Sequence, residues 1–360
     1  MQVTTGPGLA TGVLPTPHPA LLWDVFCHVV DNLGDIGVCW RFSADLARRG
    51  QSIRLWIDQP EPLRWMAPGA VEGHWPGVEV VPWDGSLQAA TCEALPVADV
   101  WVEAFGCDPP PEMTHALAQR LACGARAPVW INLEYMSAEG YVERSHRLPS
   151  LVSSGPLKGV SKWFFYPGFT AATGGLLREA DLLEHRSRFD AVTWLRQLHW
   201  PHGQARRVSV FCYEPPVLGD LLGRLLADVE PVEWLVTSGR SAQAMRAAIE
   251  ADPTLQRARL TMLPALPQPA FDQLLWASDL NLVRGEDSLV RAIWAGQPFV
   301  WHIYPQHDNA HHAKLAAFLD WLQAPPGLRA FHRHWNGIDD TPPAWPGWQE
   351  VDGWRACVQA

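Results

Sequence analysis

The chain has 360 residues, 48% of them hydrophobic, and a formal net charge of −10. That length suits two domains of ordinary size, each burying its own core, and the acidic balance speaks against a general nucleic-acid binder while leaving room for attraction to a basic protein. The seven cysteines form no C-x-x-C pair, which leaves zinc and dithiol redox work without their usual ligands and fits reduced thiols.

No apolar run is long enough to span a bilayer, and residues 1–20 lack the basic start and apolar stretch of an export signal. We expect a cytoplasmic protein that engages neither membrane nor nucleic acid, with residues 1–20 as a flexible N-terminal extension.

The run from Trp23 to Val30 reads as a buried parallel strand. It leads into Asp31-Asn32-Leu33-Gly34-Asp35-Ile36-Gly37, whose two glycines predict a turn, and then into a segment, Val38 to Ala47, with apolar positions at helical spacing. The carboxylates of Asp31 and Asp35 thus stand at the carboxyl end of the first strand, where open α/β sheets place their ligands. Two anions facing one crevice suit a cationic guest. The structural alternative is that Asp31 caps the helix and Asp35 sits in the turn.

Further short strands are expected over 52–57, 78–83, 99–105 and 128–133, so the first half is Rossmann-like. The G-x-G-x-x-G fingerprint is missing after the first strand, which removes the main support for a dehydrogenase. Asn132, Glu134 and Tyr135 follow the strand at 128–133 and either line the same crevice or form a polar loop. The aromatic stretch from Lys162 to Phe169 reads as a core strand or as a cover over the site.

Trp200-Pro201-His202-Gly203 breaks a charged helical region, and a new strand starts at Arg207. The domain boundary is placed there, giving a first domain at 21–204, a second at 205–340, and a Pro- and Trp-rich tail at 341–360 that packs back on the first domain. The second half alternates cleanly. Helices begin near Pro216, Ser241, Gln268 and Asp287, between strands at 234–236, 260–263, 280–283 and 298–303, which implies a second parallel sheet with crossover helices.

Arg284-Gly285-Glu286-Asp287-Ser288 opens one of these helices directly after a strand, so its free amides can receive phosphate oxygens. Glu286 is placed to bond ribose or sugar hydroxyls. Phe211 and Tyr213 lie two residues apart on one face, where flat rings can stack on a nucleobase, and the amide of Gln268 can read a base edge. Core packing is the competing use of Phe211. His307 and His311 are four apart, but no H-E-x-x-H occurs and Asp308-Asn309 reads as a helix cap, so no metal site is expected.

Taken together, Val29 to Arg41, Phe211-x-Tyr213, Arg284-Gly-Glu-Asp-Ser288 and Trp301-His-Ile-Tyr-Pro-Gln306 resemble the EarP family of protein-arginine rhamnosyltransferases, over about residues 22–335. The resemblance implies an α/β fold of the GT-B glycosyltransferase type, two facing Rossmann-like domains with the active site in the cleft between them. It also implies transfer of L-rhamnose from dTDP-β-L-rhamnose to one arginine of translation elongation factor P, with inversion, release of dTDP, and neither cofactor nor metal.

Carried over residue by residue, it makes Asp31, Asp35 and Glu286 the functional carboxylates. It sets Phe211 and Tyr213 against thymine, and Gln268, Arg284, Asp287 and Ser288 around the nucleotide. A guanidinium is a poor nucleophile because its lone pairs are delocalised and its pKa lies above about 12. Paired carboxylates can grip it, localise its electrons and take its proton. Asp35 is expected as the base. Two other readings remain open: a GT-B transferase acting on a small-molecule or lipid acceptor, and a non-catalytic nucleotide-sensing module.

Overall fold

The computed structural model describes residues 19–30, 33–83 and 87–359. In the first half, strands β1 (Leu22–Cys27), β2 (Ser52–Ile57), β3 (Val78–Pro82), β4 (Val100–Ala104), β5 (Val129–Leu133), β6 (Pro149–Leu151) and β7 (Ser161–Phe165) run in order. Helices α1 (Gly34–Arg48), α2 (Leu63–Met66), α3 (Ala89–Ala94), α4 (Pro111–Ala122) and α5 (Tyr141–Ser145) connect them. The sheet order is β3-β2-β1-β4-β5-β7-β6, parallel except for β6 against β7.

After α6 (Leu182–Ser187) and α7 (Ala191–Gln197), a second sheet holds β8 (Arg206–Val210), β9 (Val232–Val236), β10 (Arg259–Met262), β11 (Leu280–Arg284) and β12 (Phe299–His302). Its crossovers are α8 (Leu218–Leu226), α9 (Arg240–Ala251), α10 (Gln268–Ala277) and α11 (Gly285–Ala295). It is wholly parallel, in the order β10-β9-β8-β11-β12. Three helices close the chain: α12 (Ala310–Trp321), α13 (Pro326–Trp335) and α14 (Trp348–Gln359).

Helices cover both faces of the central strands, so these strands are buried on both sides and are mostly apolar; β4 and β11 are buried at every position, Glu103, Asn281 and Arg284 included. Two charged side chains buried side by side in the first sheet, Asp24 and Arg54, arrive paired. Asp24 takes both Nε and Nη2 of Arg54 at 2.7 Å, and its remaining capacity goes to the indole N–H of Trp56.

Three expectations need correction. Gly34 and Gly37 are not turn residues: α1 starts at Gly34, and Gly37 lies within it. The missing side chain at Gly37 permits a close approach, because a Cβ there would stand 3.3 Å from Asp287 Oδ2 on α11. The second correction concerns residues 189–200, assigned by sequence to the first domain. By packing they join the second sheet: Leu195 is fully buried against Leu235, Leu263 and Leu274, with Trp194 and Trp200 alongside. The third concerns the tail. Instead of returning to the first domain, α14 sinks Trp348, Val351 and Trp354 into the core of the second, because these large rings find their apolar partners in Phe331 and Trp345. The expected extension at 1–20 lies, except for Pro19 and Ala20, outside the described residues.

Among the buried histidines of the second domain, His302 and His332 lie in and against β12. His332 is fixed in one tautomer, since Nε2 accepts the Trp301 amide at 3.0 Å and Nδ1 lies 3.0 Å from the Leu328 carbonyl. Burial pushes His332 down to about 4; burial, and then the charge of Arg284, pushes His302 down to about 3.

Above the ordinary histidine value of about 6.5 both groups are neutral, folded or unfolded, and nothing is lost. As pH falls from there toward 4, the unfolded chain binds protons that the folded one refuses, so stability declines, by about 2 kcal/mol per pH unit near pH 5 for the pair. Denaturant titrations at pH 7 and pH 5 should show this drop. Equal midpoints would contradict it.

Candidate active site

The carboxyl ends of both sheets meet along α1 and α11, and the carboxylates of interest stand there. Asp35 occupies the first turn of α1 and is 2% exposed. Its Oδ2 accepts the Val30 amide at 2.9 Å, and its Oδ1 accepts the Tyr135 hydroxyl at 3.4 Å. Glu286 occupies the first turn of α11 in the second domain; its Oε2 accepts the Met136 amide at 2.8 Å, and its Oε1 pairs with the Lys314 ammonium. Two consecutive residues after β5 thus tie together carboxylates from opposite domains.

Glu134 sits beside them, held by Asn132 at 2.9 Å. Burial pushes its carboxyl up, the bond from Asn132 opposes this, and the charge of Glu286 adds to the rise. Asp31 lies outside the described residues.

On the second-domain side a cavity of about 290 Å³ opens between the starts of α1, α10 and α11. Phe211, Gln268, Arg284, Asp287 and Ser288 line it, as the sequence proposed, with Trp65, Met66 and Phe271 completing the wall. Arg284 is the last residue of β11 and the cap of α11, so its guanidinium and the helix N-terminus together offer positive charge to an anion.

Tyr213 is not in the cavity wall. It is 1% exposed, and its ring packs 4.8 Å from the Arg284 guanidinium carbon and 4.7 Å from that of Arg240. Phe211 lies 4.5 Å from the same Arg284 carbon. Both rings flank this cation, because the chain after β8 passes directly beside the end of β11, and only Phe211 also lines the cavity.

The Ser288 hydroxyl is turned back on Arg284, accepting its amide at 3.0 Å and donating to its carbonyl. Gln268 Nε2 donates to the Gly37 carbonyl at 3.0 Å. The Asp287 carboxylate faces Arg41 at 3.1 Å. What Asp287 and Ser288 present to the cavity is therefore largely the start of α11 itself.

Arg41 begins a buried network across the domains that no sequence motif announced. Its guanidinium takes both oxygens of Asp272 at 3.1 Å, and Arg291 takes the same two at 2.8 Å. Glu179 closes the ring, at 2.7 Å from Arg291. Burial alone would push Arg41 down, but Asp272, Asp287 and Glu179 outweigh it and raise it. Burial pushes Asp287 up against the pull of Arg41 and Arg291. Arg41 and Asp287 also form the partition to a second, mostly apolar cavity of about 380 Å³ that includes Phe105, Glu134 and Glu286.

The family model for EarP, described as elongation factor P (EF-P) rhamnosyltransferase, matches residues 23–360. The chain belongs to the EarP family. It is 41% identical to a protein-arginine rhamnosyltransferase of Pseudomonas aeruginosa over 362 residues, covering 94% of this chain and 93% of the relative. A namesake from Neisseria meningitidis is 38% identical, over 84% of this chain and 78% of its own. Among solved structures, one of EarP, described for arginine glycosylation of translation elongation factor EF-P, is 28% identical with a TM-score of 0.58, covering 94% of this chain and 92% of its own. The architecture is thus that of an EarP glycosyltransferase of the GT-B type, two Rossmann-like domains with their carboxyl ends facing.

Within that architecture, Asp35, Glu286 and the start of α11, singled out from the sequence, stand where the carboxyl ends of the two sheets meet. Sequence reasoning missed Phe271, which packs edge-on against Phe211 with centroids 5.1 Å apart. Its signal was available: Phe271 lies one helical turn after Gln268, and so on the same face of α10. It also missed Phe105 and Lys314. Nothing local distinguishes Lys314 from any other exposed-looking lysine on a helix.

Among the described residues, no three His, Cys, Asp or Glu side chains gather into a group that could hold a metal. His311 Nδ1 accepts the Gln306 amide at 3.1 Å and serves that turn.

Proposed function

We propose that this chain is an inverting protein-arginine rhamnosyltransferase that moves L-rhamnose from dTDP-β-L-rhamnose to the guanidinium of one arginine of translation elongation factor P. Membership of the EarP family supports the activity. The observation that carries the site is the meeting of Asp35 and Glu286 at Tyr135 and Met136, an anionic spot built from both domains. The small-molecule and lipid acceptors, and the non-catalytic reading, have no comparable support.

In this reading the second domain holds the donor, with its diphosphate at the start of α11 beside Arg284. The charge that develops on the departing dTDP is met by those amides and that guanidinium. The acceptor guanidinium enters from the first domain, where Asp35 and Asp31 hold it through charge-assisted hydrogen bonds. Asp35 takes the proton as nitrogen attacks the anomeric carbon through an oxocarbenium-like transition state. The configuration inverts, because the attacking nitrogen and the leaving diphosphate lie on opposite faces of the sugar.

Since α11 and Arg284 supply the positive charge, activity should survive chelation. The test is release of dTDP from dTDP-rhamnose in the presence of EDTA, with and without the factor. Release that depends on the factor and is unaffected by EDTA is expected. Release without any acceptor, or loss with EDTA that magnesium restores, would count against this account.

A further inference from the structure

Beside Asp35 and Glu286 lies a pair of stacked rings that already has a cation against it. Phe105, just past β4, and Tyr135, just past β5, stack with centroids 4.4 Å apart and planes 14° from parallel. Phe105 holds a φ of 59°, a left-handed backbone that bulky residues rarely adopt. Tyr135 is 38% exposed, so the stack is not simply core filling.

Lys314 reaches over from α12 of the second domain, and its Nζ stands 5.8 Å from the Tyr135 centroid while it pairs with Glu286. The hydroxyl of the same Tyr135 bonds Asp35. An aromatic face, one carboxylate at its hydroxyl, a second bonded to the next residue and a cation in place together make a cation seat.

We propose that the Phe105–Tyr135 stack is the shelf on which the acceptor guanidinium lies, and that Lys314 holds the place of that cation until the acceptor displaces it. This rests on the arginine-transferase reading given above. A guanidinium is planar and weakly hydrated, so it stacks on a ring while its in-plane N–H groups reach carboxylates at its edges. Asp35 and Glu286 stand at two such edges. The Lys314 ammonium is a compact, strongly hydrated point charge on a flexible stem; it satisfies Glu286 but gains less from the ring, and it yields to a better-matched cation. The shelf therefore selects arginine over lysine as acceptor.

The test is steady-state transfer to EF-P with saturating dTDP-rhamnose, read as acceptor KM, kcat and dTDP affinity. Tyr135→Leu removes the ring and should raise acceptor KM about tenfold with dTDP affinity unchanged. Tyr135→Phe keeps the ring and should return KM to within about twofold of wild type, while kcat falls through the lost hydrogen bond to Asp35. Lys314→Met removes the competing cation and should lower acceptor KM about threefold.

The shelf is overturned if Tyr135→Leu leaves KM unchanged, if Tyr135→Phe is as impaired in KM as Tyr135→Leu, or if Lys314→Met raises acceptor KM. Weaker donor binding in Lys314→Met would also overturn it, assigning the ammonium to the diphosphate instead. Should Tyr135→Leu lose dTDP binding through misfolding, Lys314→Met decides alone. Absence of transfer by the wild-type chain would remove the reading and the shelf with it. Transfer with an unaltered KM in Tyr135→Leu would remove only the shelf.

Discussion

Asp35→Asn is expected to lower single-turnover transfer about 10³-fold or more, the range for loss of a positioned general base. Donor binding should survive, because the cavity proposed for the donor is walled mainly by the second domain, and Asp35 is not among the residues that line it. The carboxamide is close to isosteric with the carboxylate: its one oxygen can keep the Val30 amide, and its NH2 group can donate to the Tyr135 hydroxyl oxygen in place of the bond lost there. The capacity to take a proton is lost, together with the charge that helps hold the guanidinium, which is why acceptor is kept saturating. Rapid-quench transfer with saturating donor and acceptor, alongside dTDP calorimetry, checks this. Near-normal transfer, or lost dTDP binding with normal chemistry, would contradict it.

The second large effect is structural. Asp272→Ala should destabilise the chain by about 3–5 kcal/mol, because it leaves two buried guanidinia without their shared partner. Arg41 is 4% and Arg291 2% exposed, and each makes two hydrogen bonds to Asp272. Those bonds also tie α1 of the first domain to α10 and α11 of the second, so the variant should lose the fixed approach of the two domains. Urea titration measures the first effect, and small-angle scattering the second. A stability within about 1 kcal/mol of wild type would show that Asp287 and Glu179 suffice for both arginines.

The fold was legible wherever one physical rule dominated. Strands such as β2 and β11 announced themselves because burial on both faces favours a short, mostly apolar run. Where two rules competed, the local reading failed. Gly34 and Gly37 signal a turn by propensity, but the close packing of α1 on α11 uses the absence of a side chain inside a helix. The Trp-rich tail carried no sign of which core it would enter, since apolar rings say only that they will be buried.

The site divides in the same way. Glu286 and the amides after Arg284 follow from strand, glycine and helix in sequence, so they could be placed in advance. Arg41, Asp272, Arg291 and Glu179 could not. Each sits at a position where a solvated charge is the ordinary expectation, and their pairing joins residues as far apart as 41 and 272. Tyr213 misled for a related reason. Period-two geometry put it beside Phe211, but Arg284 comes from another strand and takes up the ring faces.

The central claim is that one arginine of a protein acceptor receives one deoxyhexose. Intact-mass analysis of EF-P after incubation with this chain and dTDP-β-L-rhamnose, beside an EF-P variant with lysine at the target position, measures it directly. The account predicts a single added rhamnosyl group on the arginine form and none on the lysine form, since an ammonium cannot offer the planar, forked set of donors that the facing carboxylates require. An unchanged mass for the arginine form, or equal modification of both, would contradict it.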